Sequence, residues 1–446
     1  MSVENFGYKQ ELKRALTFWD LLIYGMIFMV PIAPFGVFGY VSDASKGMVA
    51  LAYVIGMGGM IFTAMSYARM SEAFPVAGSV YAYAQRGISD TVGFLAGWAI
   101  LLDYILVPSL LYLISAAALT AIYPAIPIWA WLLIFIAINT AINVRGVEFT
   151  AKANKIILIA EFIVLAIFIA AGIIALTTGT AGQGFTIKPL YDSHFFSLNL
   201  VMSAVSIAVL SFLGFDGIST LSEEVKGGSK VVGKATIIAL LVVGSLFVIQ
   251  TWIASDLGRG MKLDNLDTAF YVIAGKAGGL WLKNTTILAT AFSWGIANAL
   301  AAQAAISRIL FSMGRDRKLP AVLAKIHPTF KTPYVSTLVV AIISIIVGLF
   351  FQNSIDVLTN IVNFGALAGF LLLHLSVINH YVIRNKSRHL WKHLIFPIIG
   401  FAVIAYVMYG MDRKAIVTGL IWIVIGTVYI TVLKKVLKTA PTELDI

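Results

Sequence analysis

The sequence predicts an all-α polytopic membrane protein with twelve transmembrane helices, and two features carry that expectation. Of 446 residues, 60% are hydrophobic and only 12% charged, where an ordinary soluble domain carries about 25% charged residues. The apolar residues recur in long runs from Leu16 to near Leu433 rather than in one signal peptide or a single anchor. A soluble multidomain enzyme is thereby excluded. The absence of cysteine removes disulfides, thiolate metal sites and cysteine nucleophiles together.

Segments long enough to cross about 30 Å of hydrocarbon lie at 16–40, 47–67, 93–122, 128–143, 156–176, 198–221, 235–255, 284–307, 335–351, 355–380, 394–411 and 415–433. The fourth and ninth are short, so the placement of Lys and Arg provides the test of the count. With the N-terminus inside, 24 of the 32 basic residues fall on the cytoplasmic side and 8 on the other. That bias predicts a plasma-membrane protein with both termini cytoplasmic. It also explains the net charge of +11 as a topology signal rather than a nucleic-acid surface. The expected organisation is a cytoplasmic N-terminus (1–15), a first five-helix half (16–176), an extracellular connection (177–197), a second half (198–380), helices 11 and 12 (381–433) and a cytoplasmic C-terminus (434–446).

Taken in order, the first span carries Pro31 and Pro34 mid-membrane, with Gly25, Gly36 and Gly39 around them. Proline deletes a backbone donor and clashes with the preceding turn, so this helix is expected to break. The third span holds Asp103 beside Tyr104, just before Pro108, which should disturb the helix. The fifth holds Glu161 in a wholly apolar setting. The sixth places Asp216 between Gly214 and Gly217, a poor continuous helix and a good exposed-backbone turn. Spans one and six open the two halves, and breaks at corresponding positions of two halves point to a midplane transport site.

Embedded acids are costly in a bilayer and normally face protein or a water-filled path. Asp103, Glu161 and Asp216 are therefore functional candidates, each weighed against a structural role as a cap or buried pair. Glu161 is the candidate for proton coupling, because an acid held away from water can exchange a proton with it during a cycle. Aromatic residues near the breaks, Tyr24, Phe28, Phe35, Tyr104, Tyr112, Phe212, Phe215 and Trp294, suit an organic solute and can hold an ammonium by cation–π attraction; the alternative is ordinary membrane core. The stretches at 313–333 and 386–393 are read as basic cytoplasmic segments. No phosphate-binding G-x-x-x-x-G-K-[ST] loop occurs, and the six scattered histidines form no metal spacing. We therefore expect no metal, no cofactor and no catalytic residues, and transport driven by an ion gradient, exchange or the solute's own gradient.

Three stretches together carry a resemblance: FPVAGSVYAYAQRGISDTVGFLAGWAILLDY at 74–104, FLGFDGISTLSEEVKGGSKVVGKA at 212–235 and SRILFSMGRDRKLPAVLAKIHPTFKTP at 307–333. With them the chain resembles the amino acid–polyamine–organocation transporter superfamily from about Glu11 to Lys435. Within it the chain is most similar to the bacterial putrescine importers, through LDY at 102–104, TLSEE at 220–224 and NFGALAGF at 363–370. The resemblance implies a LeuT-like bundle of two inverted five-helix repeats plus two helices, with substrate bound where helices 1 and 6 unwind and helices 3, 8 and 10 completing the site.

Carried residue by residue, Tyr104 and Glu223 look like residues important for uptake, and Gly214, Phe215 and Asp216 look like the unwound part of helix 6. The helix 1 stretch GMIFMVPIAPFG departs from the glycine-rich turn that receives a substrate carboxylate in amino-acid members. Gly36, however, stands where putrescine importers tend to have an aspartate, and Glu161 stands where proton-coupled relatives have a lysine. The candidate substrate-binding set is Gly25, Phe28, Pro31, Phe35, Gly36, Asp103, Tyr104, Phe212, Gly214, Phe215, Asp216, Glu223 and Trp294, with Glu161 for the proton. The expected activity is secondary import of putrescine or a related polyamine by proton symport, with an amino acid or a monoamine as the alternatives.

Overall fold

The computed structural model describes residues 16–75, 79–145, 148–226, 228–315, 319–330 and 332–436. Among them there is no β-sheet; the one bridge pairs Leu16 with Val225. Ten helices are long and apolar enough to cross a membrane, and up to twelve if each of two bent pairs counts as one span. Segment by segment they cover the apolar runs of the sequence.

The first bent pair is α1 (Phe18–Met29) and α2 (Pro34–Ser45), inclined at 55°. A capping box starts α1, with Thr17 and Asp20 each satisfying the other's backbone N–H. Val30 then turns to φ 52°, and Pro34 opens α2 at its first turn, where its missing N–H costs nothing. Next come α3 (Val49–Ala73), the short α4 (Ser79–Gly87), α5 (Asp90–Thr120), α6 (Ile128–Arg145) and α7 (Glu148–Thr178). Pro108 lies inside α5 without interrupting it, contrary to the expected disturbance. The proline cannot donate to the carbonyl four residues earlier, so its local effect is to free the Tyr104 carbonyl while the rest of the helix, packed on all sides, continues.

The second bent pair joins α8 (Leu198–Ala208), tightening into a 3₁₀ turn at Val209–Phe212, to a 3₁₀ helix at Phe215–Glu224, with a bend of 42°. Leu213 is extended and Gly214 sits at φ 107°, a conformation that glycine adopts without a Cβ clash. The chain continues through α9 (Ser229–Leu257), α10 (Ala269–Phe292), a π-turn at Ser293–Asn298 and α11 (Ala299–Arg315). The eighth span is thus longer than the apolar run 284–307, because its outer part, kinked at Gly279, extends it back to Ala269. It ends with α12 (Tyr334–Phe351), α13 (Ile355–Val377), α14 (Phe396–Tyr409) and α15 (Arg413–Val436).

Burial sorts these helices into centre and rim. The α5 helix buries residues around its whole circumference from Leu110 to Leu119, whereas α15 exposes Val417, Leu420, Ile421, Val424, Ile425 and Val428, a stripe at three-to-four spacing suited to lipid. The two are stapled by a reciprocal pair: the Trp98 indole donates to the Trp422 carbonyl at 2.8 Å and Trp422 to the Trp98 carbonyl at 2.7 Å, with the rings stacked at 4.7 Å. Each bond should contribute about 1 kcal/mol. Trp98→Phe and Trp422→Phe should each lower thermal stability in detergent, and the double variant should lose about the sum, because each removes its own bond to a backbone carbonyl while a ring remains for the stack.

Candidate functional site

The two helix breaks face each other, and a cavity of about 50 Å³ lies between them, room for a few waters. Phe28, Met29, Val30 and Ala33 of the first break and Leu210, Leu213, Gly214 and Asp216 of the second form two walls. Asp103, Tyr104, Val107 and Leu111 of α5 form a third. Trp294, Asn298 and Ala302, presented by the π-turn and α11, close the fourth. Widened turns of this kind frequently mark functional sites because they redirect side chains out of register. The Asn139 amide holds this one, donating to the Gly295 carbonyl at 2.7 Å.

The electrostatics of the cavity are one-sided. Asp103 and Asp216 lie within electrostatic reach of each other. Among the described residues neither has a basic group within 4 Å. Asp103 Oδ1 is buried without a hydrogen-bond partner, as is the indole N–H of Trp294. Asp216 accepts from the Tyr67 hydroxyl at 3.5 Å. Tyr67 is also 3.3 Å from the Ser79 hydroxyl at the start of α4 and packs edge-on against Tyr83, Phe215 and Phe370. It does not line the cavity itself but stands behind Asp216, bridging that wall to the start of α4.

Of the residues singled out in the sequence, Phe28, Asp103, Tyr104, Gly214, Asp216 and Trp294 line the cavity. The others lie around it. The Pro31 carbonyl accepts from the Gln250 side chain at 2.9 Å; Phe35 stacks on Phe270 at 3.9 Å; Gly36 sits against Ile114 and Trp294; Gly25 sits against Ile218 and Ala239. Phe212 packs on Phe247 and Phe215 on Phe370. The side chain of Glu223 lies outside what the structure describes. Glu161 is 4% exposed, accepts from the Ser293 hydroxyl and has its second oxygen unpaired. It does not line the cavity, but Ser293 is the residue before Trp294. Sequence reasoning missed Asn298, Val30, Ala33 and Tyr67. No metal-ligating cluster occurs among the described residues.

Helices broken on either side of a cavity lined by embedded acids are the architecture of a membrane-embedded transporter. The amino acid permease family model matches residues 31–437, and the chain belongs to that family, within the amino acid–polyamine–organocation superfamily. It is a transporter of small polar or charged solutes, driven as a secondary carrier, and not an enzyme. It is 31% identical over 439 residues to the low-affinity putrescine importer PlaP of Escherichia coli (strain K12), covering 95% of this chain and 94% of that one. It is 27% identical to the methylthioribose transporter of Bacillus subtilis (strain 168) over 94% of this chain and 93% of the other. It is 26% identical to the branched-chain amino acid permease BcaP of the same organism, with the same coverage.

Because the chain has no cysteine, a single introduced thiol reports access to the cavity without background. In an Asn298→Cys protein, adding Tyr67→Phe should speed modification by an impermeant maleimide applied from the side of the membrane on which α4 lies. Loss of bonds worth about 1 kcal/mol corresponds to roughly a fivefold gain. An unchanged rate would show that Tyr67 does not restrict access to the cavity from that side.

Proposed function

We propose that the protein imports a small organic dication of the putrescine type across the plasma membrane by proton symport and alternating access. The observation that carries this reading is the pair of acids, Asp103 and Asp216, on facing walls of one cavity with no basic partner among the described residues. An ionised carboxylate in such a site is costly unless a cation accompanies it. Two of them match two ammonium groups joined by a short apolar chain. The Tyr104 carbonyl freed by Pro108 supplies a further acceptor, and the faces of Phe28 and Trp294 suit an ammonium or methylene chain. The similarity to a putrescine importer points the same way.

On this reading residues 16–176 and 198–380 are the two inverted repeats, 381–433 the two added helices, and both termini are cytoplasmic. A cavity that holds only a few waters must open on one side to load a diamine. The contacts of Tyr67 with Asp216 and Ser79 and that of Tyr40 with Asp267 are the natural moving parts. Glu161 carries the proton, since its partner Ser293 precedes cavity-lining Trp294 and links its state to the wall.

An amino-acid substrate is the second reading, favoured by the similarity to BcaP. Its α-carboxylate would need free backbone amides at a helix break, whereas the Val30 N–H is already on the Met26 carbonyl and the Gly217 N–H on the Gly214 carbonyl. Glu223 remains a candidate for the inner end of the path.

Radiolabelled putrescine should enter proteoliposomes saturably under an imposed proton gradient. Excess unlabelled leucine should leave uptake unchanged, and the reverse competition would overturn the diamine reading. Asp103→Asn and Asp216→Asn should each raise the KM for putrescine at least tenfold, the loss of one charge-assisted bond of about 1.5–3 kcal/mol. Glu161→Gln should abolish gradient-driven accumulation while leaving putrescine–putrescine exchange. Unaltered accumulation would exclude Glu161 as the proton carrier.

A further inference from the structure

A second cavity, of about 360 Å³, lies where the start of α8 meets the α14–α15 turn, remote from the helix breaks. Its polar lining is Asn199, Tyr406, Tyr409 and Arg413. The Tyr406 hydroxyl donates to Asn199 Oδ1 at 2.9 Å, which leaves the Asn199 amide N–H groups, the Tyr409 hydroxyl and the Arg413 guanidinium as donors. No acid lines the cavity. The neighbouring Asp412 is turned into its own loop, where its Oδ1 accepts from the Lys414 backbone N–H at 2.8 Å. Gly410 forms the join: a Cβ there would come within 2.9 Å of the Met202 backbone, so only glycine lets the end of α14 close onto α8.

The charges on this side of the protein sharpen the point. The sequence places eight basic residues opposite the basic majority, and four of them, Lys46, Lys188, Arg259 and Lys262, pair with an acid in the same chain. Arg413 is exposed and has no such partner among the described residues. Tyr409 is 74% exposed and stands between the apolar stretch of α14 and Arg413, the position tyrosines take at a membrane–water interface. Below it, exposed Ile398 and Val417 offer a hydrocarbon-facing surface.

We propose that this cavity binds the phosphate headgroup of an anionic phospholipid of the leaflet opposite the basic loops. Arg413 and the Tyr409 and Asn199 donors take the phosphate, and the acyl chains lie along α14 and α15. A polar pocket with no acid in its lining and an unpaired guanidinium fits a phosphate monoanion, and its position at the interface selects a lipid over a soluble anion. The proposal is independent of what is transported.

The test uses the purified full-length protein in neutral detergent micelles, titrated with phosphatidylglycerol, phosphatidylcholine or inorganic phosphate. Lipid retention is read by native mass spectrometry and stability by thermal melting. Phosphatidylglycerol should be retained about fivefold more than phosphatidylcholine, whose quaternary ammonium finds no acid in the lining and offsets the attraction of its phosphate to Arg413, a difference of about one basic residue's interaction with an anionic lipid. Arg413→Gln should bring that ratio close to parity, Arg413→Lys should keep part of it, and Lys283→Gln, at a base outside the pocket, should leave it unchanged. Equal retention of the two lipids by the unmodified protein, or an undiminished preference in Arg413→Gln, would overturn the site. Stabilisation by inorganic phosphate equal to that by phosphatidylglycerol would overturn the lipid as its occupant.

Discussion

A backbone N–H or C=O cannot be left facing hydrocarbon, and two helices of this protein nevertheless stop in mid-span. The rest of the architecture follows from keeping those two interruptions turned inward, toward each other. Gln250 reaches from α9 to the Pro31 carbonyl, the Val30 N–H returns to Met26, and the Gly217 N–H closes the turn onto the Gly214 carbonyl. What these bonds leave unfilled is the cavity. The surrounding helices, α5 above all, are buried because they wall off the breaks from lipid.

Charge then decides what such a cavity suits. Two carboxyls without a basic partner among the described residues face it, and on the reading proposed above a diamine would bring them two charges of the right sign. Glu161 stands behind the wall rather than in it, bonded to Ser293 at the first residue of the π-turn that also presents Trp294 and Asn298. One widened turn of helix therefore touches the acid on one side and the cavity on the other. On the symport reading proposed above, that geometry would give a proton on Glu161 a mechanical route to the cavity without direct contact, as coupling between two ligands bound at separate places requires.

The sequence made the helices legible because the hydrocarbon core imposes length and apolarity on every span, and the two breaks were legible because proline and glycine leave few alternatives. Asp103 and Asp216 were legible for the same reason, as an acid in a bilayer demands a purpose. Aromatic residues gave a weaker signal. Phe28, Tyr104 and Trp294 line the cavity while Phe35, Phe212 and Phe215 pack against other rings, since facing cannot be read from residue type near a break whose angle is unknown. Pro108 was expected to disturb α5, yet the packed helix runs through it. Asn298, Val30 and Ala33 carry no chemical mark at all, and the pairing of Ser293 with Glu161 joins residues 132 apart in the chain, a contact that only the fold creates.

Whether the two acids read a double cation, as proposed, is tested most directly by equilibrium binding, without the complications of flux. Labelled putrescine bound to the purified protein should be displaced by other short diamines at similar concentrations. 1-Butylamine, which lacks one ammonium, should require at least tenfold more, the cost of one charge-assisted bond. Equal displacement by butylamine, or displacement by leucine in preference to both, would show that the second carboxyl does not read a second charge and would contradict the account.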